Sequence, residues 1–154
     1  MPQADAAPRF DVLLVEDNPD HAELILDALA EVPPPTSLSH VASAEAALQR
    51  LGALAAADAL PNLILLDLNM PGMGGLALLR RLKDSETLRP LPVVVLSTSI
   101  EPEDVRAALQ GHANSYTRKS ADIDELEATL AAIKRYWWQI HILAHARGAG
   151  KPLP

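Results

Sequence analysis

Three stretches of the chain are apolar without interruption: VLLV at 12–15, LILL at 63–66 and VVVL at 93–96. Each is short, continuous and bounded by turn-forming residues. A strand covered on both faces reads this way, as in a parallel sheet with helices on either side. The segments between them carry helical spacing. Ala22, Ile25, Leu26 and Leu29 recur at i, i+3, i+4 and i+7, behind Asn18 as N-cap and Pro19 at the first helical position. An Ala- and Leu-rich segment over 44–54 follows Ser43, a suitable cap. Leu76, Leu79 and Leu82 mark a third helix. Val105, Ala108 and Leu109 mark a fourth, with Pro102 tolerated in its first turn. Two weaker strands fit TSLSHV at 36–41 and SYT at 115–117. A fifth helix opens at Asp122, with Glu125 three residues on as an acidic form of the capping box.

A strand–helix unit repeated five times predicts an α/β fold: a doubly wound, five-stranded parallel sheet with helices on both faces. In such sheets the ligand site lies at the carboxyl ends of the strands. Glu16 and Asp17 follow the first strand, Asp67 the third, and Ser97 and Thr98 the fourth, while the fifth leads to Lys119. Three carboxylates, two hydroxyls and one ammonium should therefore share a rim. Three acids alone would repel one another and raise each other's pKa. A hard divalent cation held by oxygens resolves that conflict, and Mg²⁺ suits a site with few protein ligands and retained waters. A lysine and hydroxyls beside such an ion make a pocket for a phosphoryl group.

Composition narrows the choice. A formal charge of −7 over 154 residues argues against nucleic acid as a partner. With no cysteine there is neither a disulfide framework nor thiol chemistry. The start of the chain, MPQADAAPRF, lacks a basic n-region and an apolar h-region, and no apolar run approaches the roughly 20 residues of a membrane span. A cytoplasmic protein of one domain is the expectation. Among catalytic signatures, GxxxxGK[ST], GxGxxG, GxSxG and HExxH are all missing.

The segments VEDNPD, LILLDLNMPGMGGL, VVVLSTS and YTRKS closely resemble the receiver domain of two-component response regulators. The resemblance covers roughly residues 11–134, and the intervals of 30 residues from Asp67 to Ser97 and 52 to Lys119 match it. It implies a flavodoxin-like, CheY-like fold with strand order 2-1-3-4-5. Through VVVLSTS, RKS and the Trp-bearing last helix, the chain is most similar to single-domain regulators encoded with bacterial phytochromes. The resemblance implies that Asp67 is the phosphoacceptor, attacking the phosphohistidine of a sensor histidine kinase. It implies that Asp17 holds Mg²⁺ directly and Glu16 through water, with Asn69 offering its backbone carbonyl. Lys119 and Ser97 would contact phosphoryl oxygens, and Tyr116 falls where receivers place an inward-turning aromatic. One departure stands out. Receivers usually follow the lysine with a cis proline, whereas Lys119 precedes Ser120, so either a cis bond is kept at a cost of about 3–4 kcal/mol or the loop takes another path.

Past the receiver, Leu126, Leu130, Ile133, Trp137 and Ile140 continue an apolar stripe. A helix from Asp122 to about Ala146 would span roughly 37 Å and leave Tyr136, Trp137, Trp138, Ile140, Ile142 and Leu143 uncovered. The expected organisation is a tail over 1–9, a receiver over 10–135 and a helical extension over 136–154 that pairs two copies as a homodimer. His141 and His145 have i, i+4 ligand spacing with no third ligand evident and read as surface or interface residues. With no effector domain in view, output is expected through protein contact or transfer to a downstream phosphotransfer protein. Two other readings compete: an aspartyl-nucleophile phosphatase, which would usually carry an acid where Asn69 stands, and a degenerate receiver that binds partners without phosphorylation.

Overall fold

A computed structural model of the chain describes residues 9–145. Five strands and five helices alternate: β1 (Asp11–Val15), α1 (Pro19–Glu31), β2 (Ser37–Val41), α2 (Ala44–Ala56), β3 (Leu63–Leu66), α3 (Gly74–Asp84), β4 (Val93–Ser97), α4 (Pro102–Gln110), β5 (Ser115–Arg118) and α5 (Ile123–Ala144). All strand pairs are parallel and the order is β2-β1-β3-β4-β5, so the direction of winding reverses between β1 and β3.

The unbroken apolar runs follow from two cores. Leu13, Val15, Ile64, Leu66, Val93 and Val95 face one side, packed with Leu51 of α2, Leu78, Leu79 and Leu82 of α3, and Ala108 of α4. The alternate residues Val12, Leu14, Leu63, Leu65, Val94 and Leu96 face the other, with Ile25 and Leu29 of α1 and Leu126 and Leu130 of α5. Each fully buried aliphatic side chain contributes about 1.5–3 kcal/mol, and both faces of the central strands draw on it.

Caps set the helix starts. Asn18 Oδ1 accepts from the N–H groups of Asp20 and His21 at 3.0 and 3.2 Å. Ser43 Oγ accepts from Ala46 N–H at 3.1 Å, and Asp122 Oδ1 from Glu125 N–H at 3.0 Å. Asparagines begin two strands in the same manner, Asn62 Oδ1 accepting from Asp11 N–H and Asn114 Oδ1 from Val93 N–H, both at 2.8 Å. The C-terminus of α1 has no basic residue of its own. Lys134 of α5 supplies one, donating from a buried ammonium to the carbonyls of Leu29 (2.7 Å) and Val32. A cation at a helix C-terminus satisfies carbonyls that the helix leaves open, and it ties α5 to α1. Burial lowers the pKa of this lysine.

Several expectations need correction. Leu109 is exposed, and Ala108 alone of the α4 residues is fully buried. The fifth helix ends at Ala144, giving 22 residues and about 33 Å. Trp137 and Trp138 are half-buried rather than uncovered, because both pack on the α1/α5 core. Phe10, immediately before β1, is buried and meets Trp138 edge-on at 5.6 Å and His141 at 5.3 Å. His141 is accordingly an interior residue and not a surface one, and its pKa is lowered by burial and by neighbouring His145. Tyr136, Ile140, Ile142 and Leu143 are exposed as expected. Residues 1–8 of the expected tail over 1–9, and the segment past His145, lie outside the described residues.

Candidate functional site

The rim at the carboxyl ends of the strands is built by ladder bonds that run one residue past the strands. Glu16 N–H donates to Val41 O at 3.1 Å, Asp67 N–H to Val15 O at 3.0 Å and Lys119 N–H to Ser97 O at 2.7 Å. The backbones of the acidic and basic residues are thereby as fixed as the sheet itself. Past Asp67 the chain turns sharply through Gly72 and Gly74, both with positive φ (79° and 72°), a region that glycine enters without strain. Gly75 marks the closest approach of α3 to this loop. Its N–H donates to Leu68 O at 3.1 Å, and a side chain there would run into the backbone of Asp67 and lie 2.6 Å from Leu68 Cα.

Oxygens of Glu16, Asp17 and Asp67 lie within 4.8 Å of one another, with Glu16 and Asp67 buried and Asp17 half-exposed. Lys119, also buried, donates to Glu16 Oε2 at 2.7 Å and stands 3.8 Å from Asp67 Oδ2. Asp67 Oδ1 accepts from the N–H of Asn69 at 3.2 Å. Burial, reinforced by the Glu16 charge and only partly offset by Lys119 and the Asn69 N–H, pushes the pKa of Asp67 up to about 6. Three carboxylates against one ammonium leave negative charge in excess, and the Glu16 charge adds to what burial does to Asp67. The donor set is all-oxygen, so a hard dication fits it.

Ser97 is buried at the end of β4; its Oγ accepts from Ser99 N–H at 3.2 Å and lies 3.5 Å from Asn69 Nδ2. Thr98 is exposed and borders a cleft of about 380 Å³ with His21, Leu24, Lys119, Ser120 and Ile123. Tyr116 is half-buried and donates its hydroxyl to Ser99 O at 2.8 Å. Ser99 Oγ in turn donates to Asp104 in the first turn of α4. Pro33–Pro34 is the cis bond among the described residues, so Lys119–Ser120 is trans. The loop takes its other path, and Lys119 reaches the acids regardless.

The structure thus brings together Glu16, Asp17, Asp67, Asn69, Ser97 and Lys119, with Thr98 and Tyr116 bordering them. Tyr136, Trp137, Trp138, Ile140 and Leu143 lie along the distal half of α5, away from this rim. Two histidines escaped the sequence reading. His40 Nε2 is 2.7 Å from the Glu16 carbonyl, and His21 Nδ1 is 3.3 Å from Lys119 Nζ. His21 had a signal: it sits in the first turn of a helix whose cap directly follows the acidic pair. His40 had none, since alternation along β2 is weak.

Over residues 12–131 the chain matches the model of the response regulator receiver domain. It is 40% identical over 129 residues to the probable methanogenesis regulatory protein FilR2 of Methanothrix harundinacea, covering 83% of each chain. Its structure is similar to that of the phosphorylated cyanobacterial phytochrome response regulator RcpA, with TM-score 0.81 and 36% identity, covering 86% of this chain and 96% of that one. It is likewise similar to the Mn²⁺-bound form of response regulator Rcp1, with TM-score 0.76 and 31% identity over 96% and 99% of the two chains. An acidic rim with one buried lysine, on a parallel sheet of this order, is the arrangement of a signalling receiver domain. The chain belongs to the response regulator receiver domain family, whose members receive phosphoryl groups from histidine kinases, and it is homologous to phytochrome response regulators.

Proposed function

We propose that the chain takes a phosphoryl group onto Asp67 from the phosphohistidine of a sensor kinase of the bacterial phytochrome type. The observation that carries this reading is the convergence of Asp67 with Glu16, Asp17 and Lys119 at the carboxyl rim. A carboxylate oxygen of Asp67 attacks phosphorus as the N–P bond of the donor breaks; the imidazole leaves and takes up a proton, and an acyl phosphate remains. Glu16, Asp17 and Asp67, with the Asn69 carbonyl, would hold Mg²⁺, which when bound offsets negative charge on the acids and the incoming phosphoryl oxygens. Lys119 stands within reach to meet one phosphoryl oxygen, and Ser97 another. As Ser97 turns to the phosphoryl group it gives up its bond from Ser99 N–H. That loosens the loop holding Tyr116 and Asp104, and the change reaches the face of α4 and β5.

The receiver unit spans 10–135, and the extension carries the exposed Tyr136, Ile140 and Leu143, which lie at i, i+4 and i+7 on one side of α5. A second copy in two-fold self-association suits this stripe, because it matches the surface to itself. Output then passes through protein contact or onward phosphotransfer, in the cytoplasm. An aspartyl phosphatase is disfavoured by Asn69, and a degenerate receiver by the complete acid set.

Incubation with Mg²⁺ and acetyl phosphate should label one site, and Asp67→Asn should abolish labelling with the fold intact by circular dichroism. Unchanged labelling in that variant would sink the assignment.

A further inference from the structure

The ammonium of Lys119 has a third neighbour besides the two carboxylates. We propose that His21 is a positioning residue for Lys119: its Nδ1 accepts a hydrogen bond from the ammonium and holds it in place for the phosphoryl group. The inference rests on the phosphoacceptor reading above and extends it to a residue on α1.

An ammonium has three N–H donors and no acceptor, so a contact between Lys119 Nζ and an imidazole nitrogen at 3.3 Å has only one direction. In that bond Nδ1 accepts, which in a neutral ring leaves the proton on Nε2. Lys119 is buried; its other acceptor is Glu16 Oε2 at 2.7 Å, and Asp67 Oδ2 stands at 3.8 Å as an ion-pair neighbour. Glu16 is itself held, its Oε1 accepting from Asn18 N–H at 3.2 Å. The ring of His21 rides on the capped first turn of α1, where the residue's backbone N–H donates to Asn18 Oδ1. The helix cap and the sheet thus both reach the ammonium, one through His21 and the other through Glu16.

Lys119 needs such support. It follows the last residue of an edge strand, where the bond to Ser97 O fixes its backbone but not its side chain. Its side chain has four rotatable bonds, whereas a reacting group must be held to about 0.5 Å. Two fixed acceptors restrict the ammonium to a small arc beside Asp67. Asn at position 21 would keep this function, because its Oδ1 occupies the place of the imidazole Nδ1.

The test uses the full chain. With Mg²⁺ and acetyl phosphate, His21→Leu should be labelled about fivefold more slowly, the loss expected for one hydrogen bond, while its Mg²⁺ affinity is unchanged by calorimetry. His21→Asn should return the rate to within about twofold of the parent. In ¹⁵N spectra taken without any phosphoryl donor, His21 should be the Nε2–H tautomer, and its Nδ1 resonance should move in Lys119→Met. A parent rate in His21→Leu overturns the proposal, as does an Asn variant as slow as the Leu one or an Nδ1 resonance unmoved by loss of Lys119. Absence of labelling in the parent protein would instead refute the phosphoacceptor reading, and the nitrogen spectra would then decide the role of His21 alone.

Discussion

At the carboxyl rim, charged side chains are buried: Glu16, Asp67 and Lys119 are 1%, 6% and 7% exposed. On the distal turns of α5 the reverse holds, with Tyr136 57% and Leu143 69% exposed. Both regions break the usual partition of polar groups outside and apolar groups inside, in opposite directions. Burying ions costs several kcal/mol each unless they are paired, and exposing apolar area forgoes about 25 cal/mol per Å². The chain answers the first only partly, since one lysine faces three acids. Among the described residues it leaves the second unanswered on the Tyr136, Ile140 and Leu143 side, although Phe10 covers the Trp138 and His141 side. Each region is energetically incomplete alone. A dication would balance the acids of the rim, and a covering surface would bury the exposed side chains of distal α5.

The sharpest way to break the comparison is to strip the rim of its metal-binding charge. Asp17→Ala should lower Mg²⁺ affinity and the rate of Asp67 labelling by about a hundredfold or more, as should chelation of the parent protein, while leaving self-association untouched. Normal labelling in EDTA would contradict the oxygen-cage reading. At the other region, if the chain self-associates as proposed, Tyr136→Ser with Leu143→Ser should weaken that association by at least about tenfold in sedimentation without changing labelling. A parent chain that sediments as a monomer with and without a phosphoryl mimic would remove the dimer altogether.

The two sides of α5 can be told apart by stability. Trp138→Ala should cost about 2–3 kcal/mol in urea unfolding, because it removes half-buried packing on Phe10, whereas Tyr136→Ser should cost under about 0.5 kcal/mol. Equal effects would mean that the covered and open sides are not distinct. The smallest expected effect concerns pH. Asp67 rises from 3.8 unfolded to about 6 folded. Over that window the folded form keeps a proton that the unfolded chain has lost, so stability falls as pH rises, and the penalty is fully present above it. In metal-free buffer, Asp67→Asn should therefore be more stable than the parent by about 1–2 kcal/mol at pH 7.5 and by almost nothing below pH 4. An Asn variant less stable than the parent at neutral pH would reverse the assignment of Asp67 as the strained group.

The strands and the rim were legible because their signals are local. LILL ending in Asp67, or VLLV ending in Glu16, places an acid at a strand end without reference to the rest of the chain. Asn18, Ser43 and Asp122 announced their caps for the same reason. What escaped depends on contacts between remote segments. Nothing near Lys134 reveals that it closes the end of α1, since an Arg or Lys in a helix is ordinarily solvated. Trp138 read as uncovered and His141 as a surface or interface residue because the residue that covers them, Phe10, lies at the opposite end of the sequence. Leu109 misled in the other direction: α4 is short and packs through Ala108, so its helical spacing promised a wider buried face than the sheet offers.

The anchoring of Lys134 to the carbonyls of Leu29 and Val32 has a mechanical consequence. It pins α5 close to the middle of its 22 residues, about 15–17 Å from either end. A stiff rod held there is a lever with its fulcrum at α1 and nearly equal arms. Its first turn lies beside Ser120 and the carboxyl rim, and its last turns carry Ile140 and Leu143. A tilt that lifts the near end by about 1 Å presses the far end by a similar distance in the opposite direction.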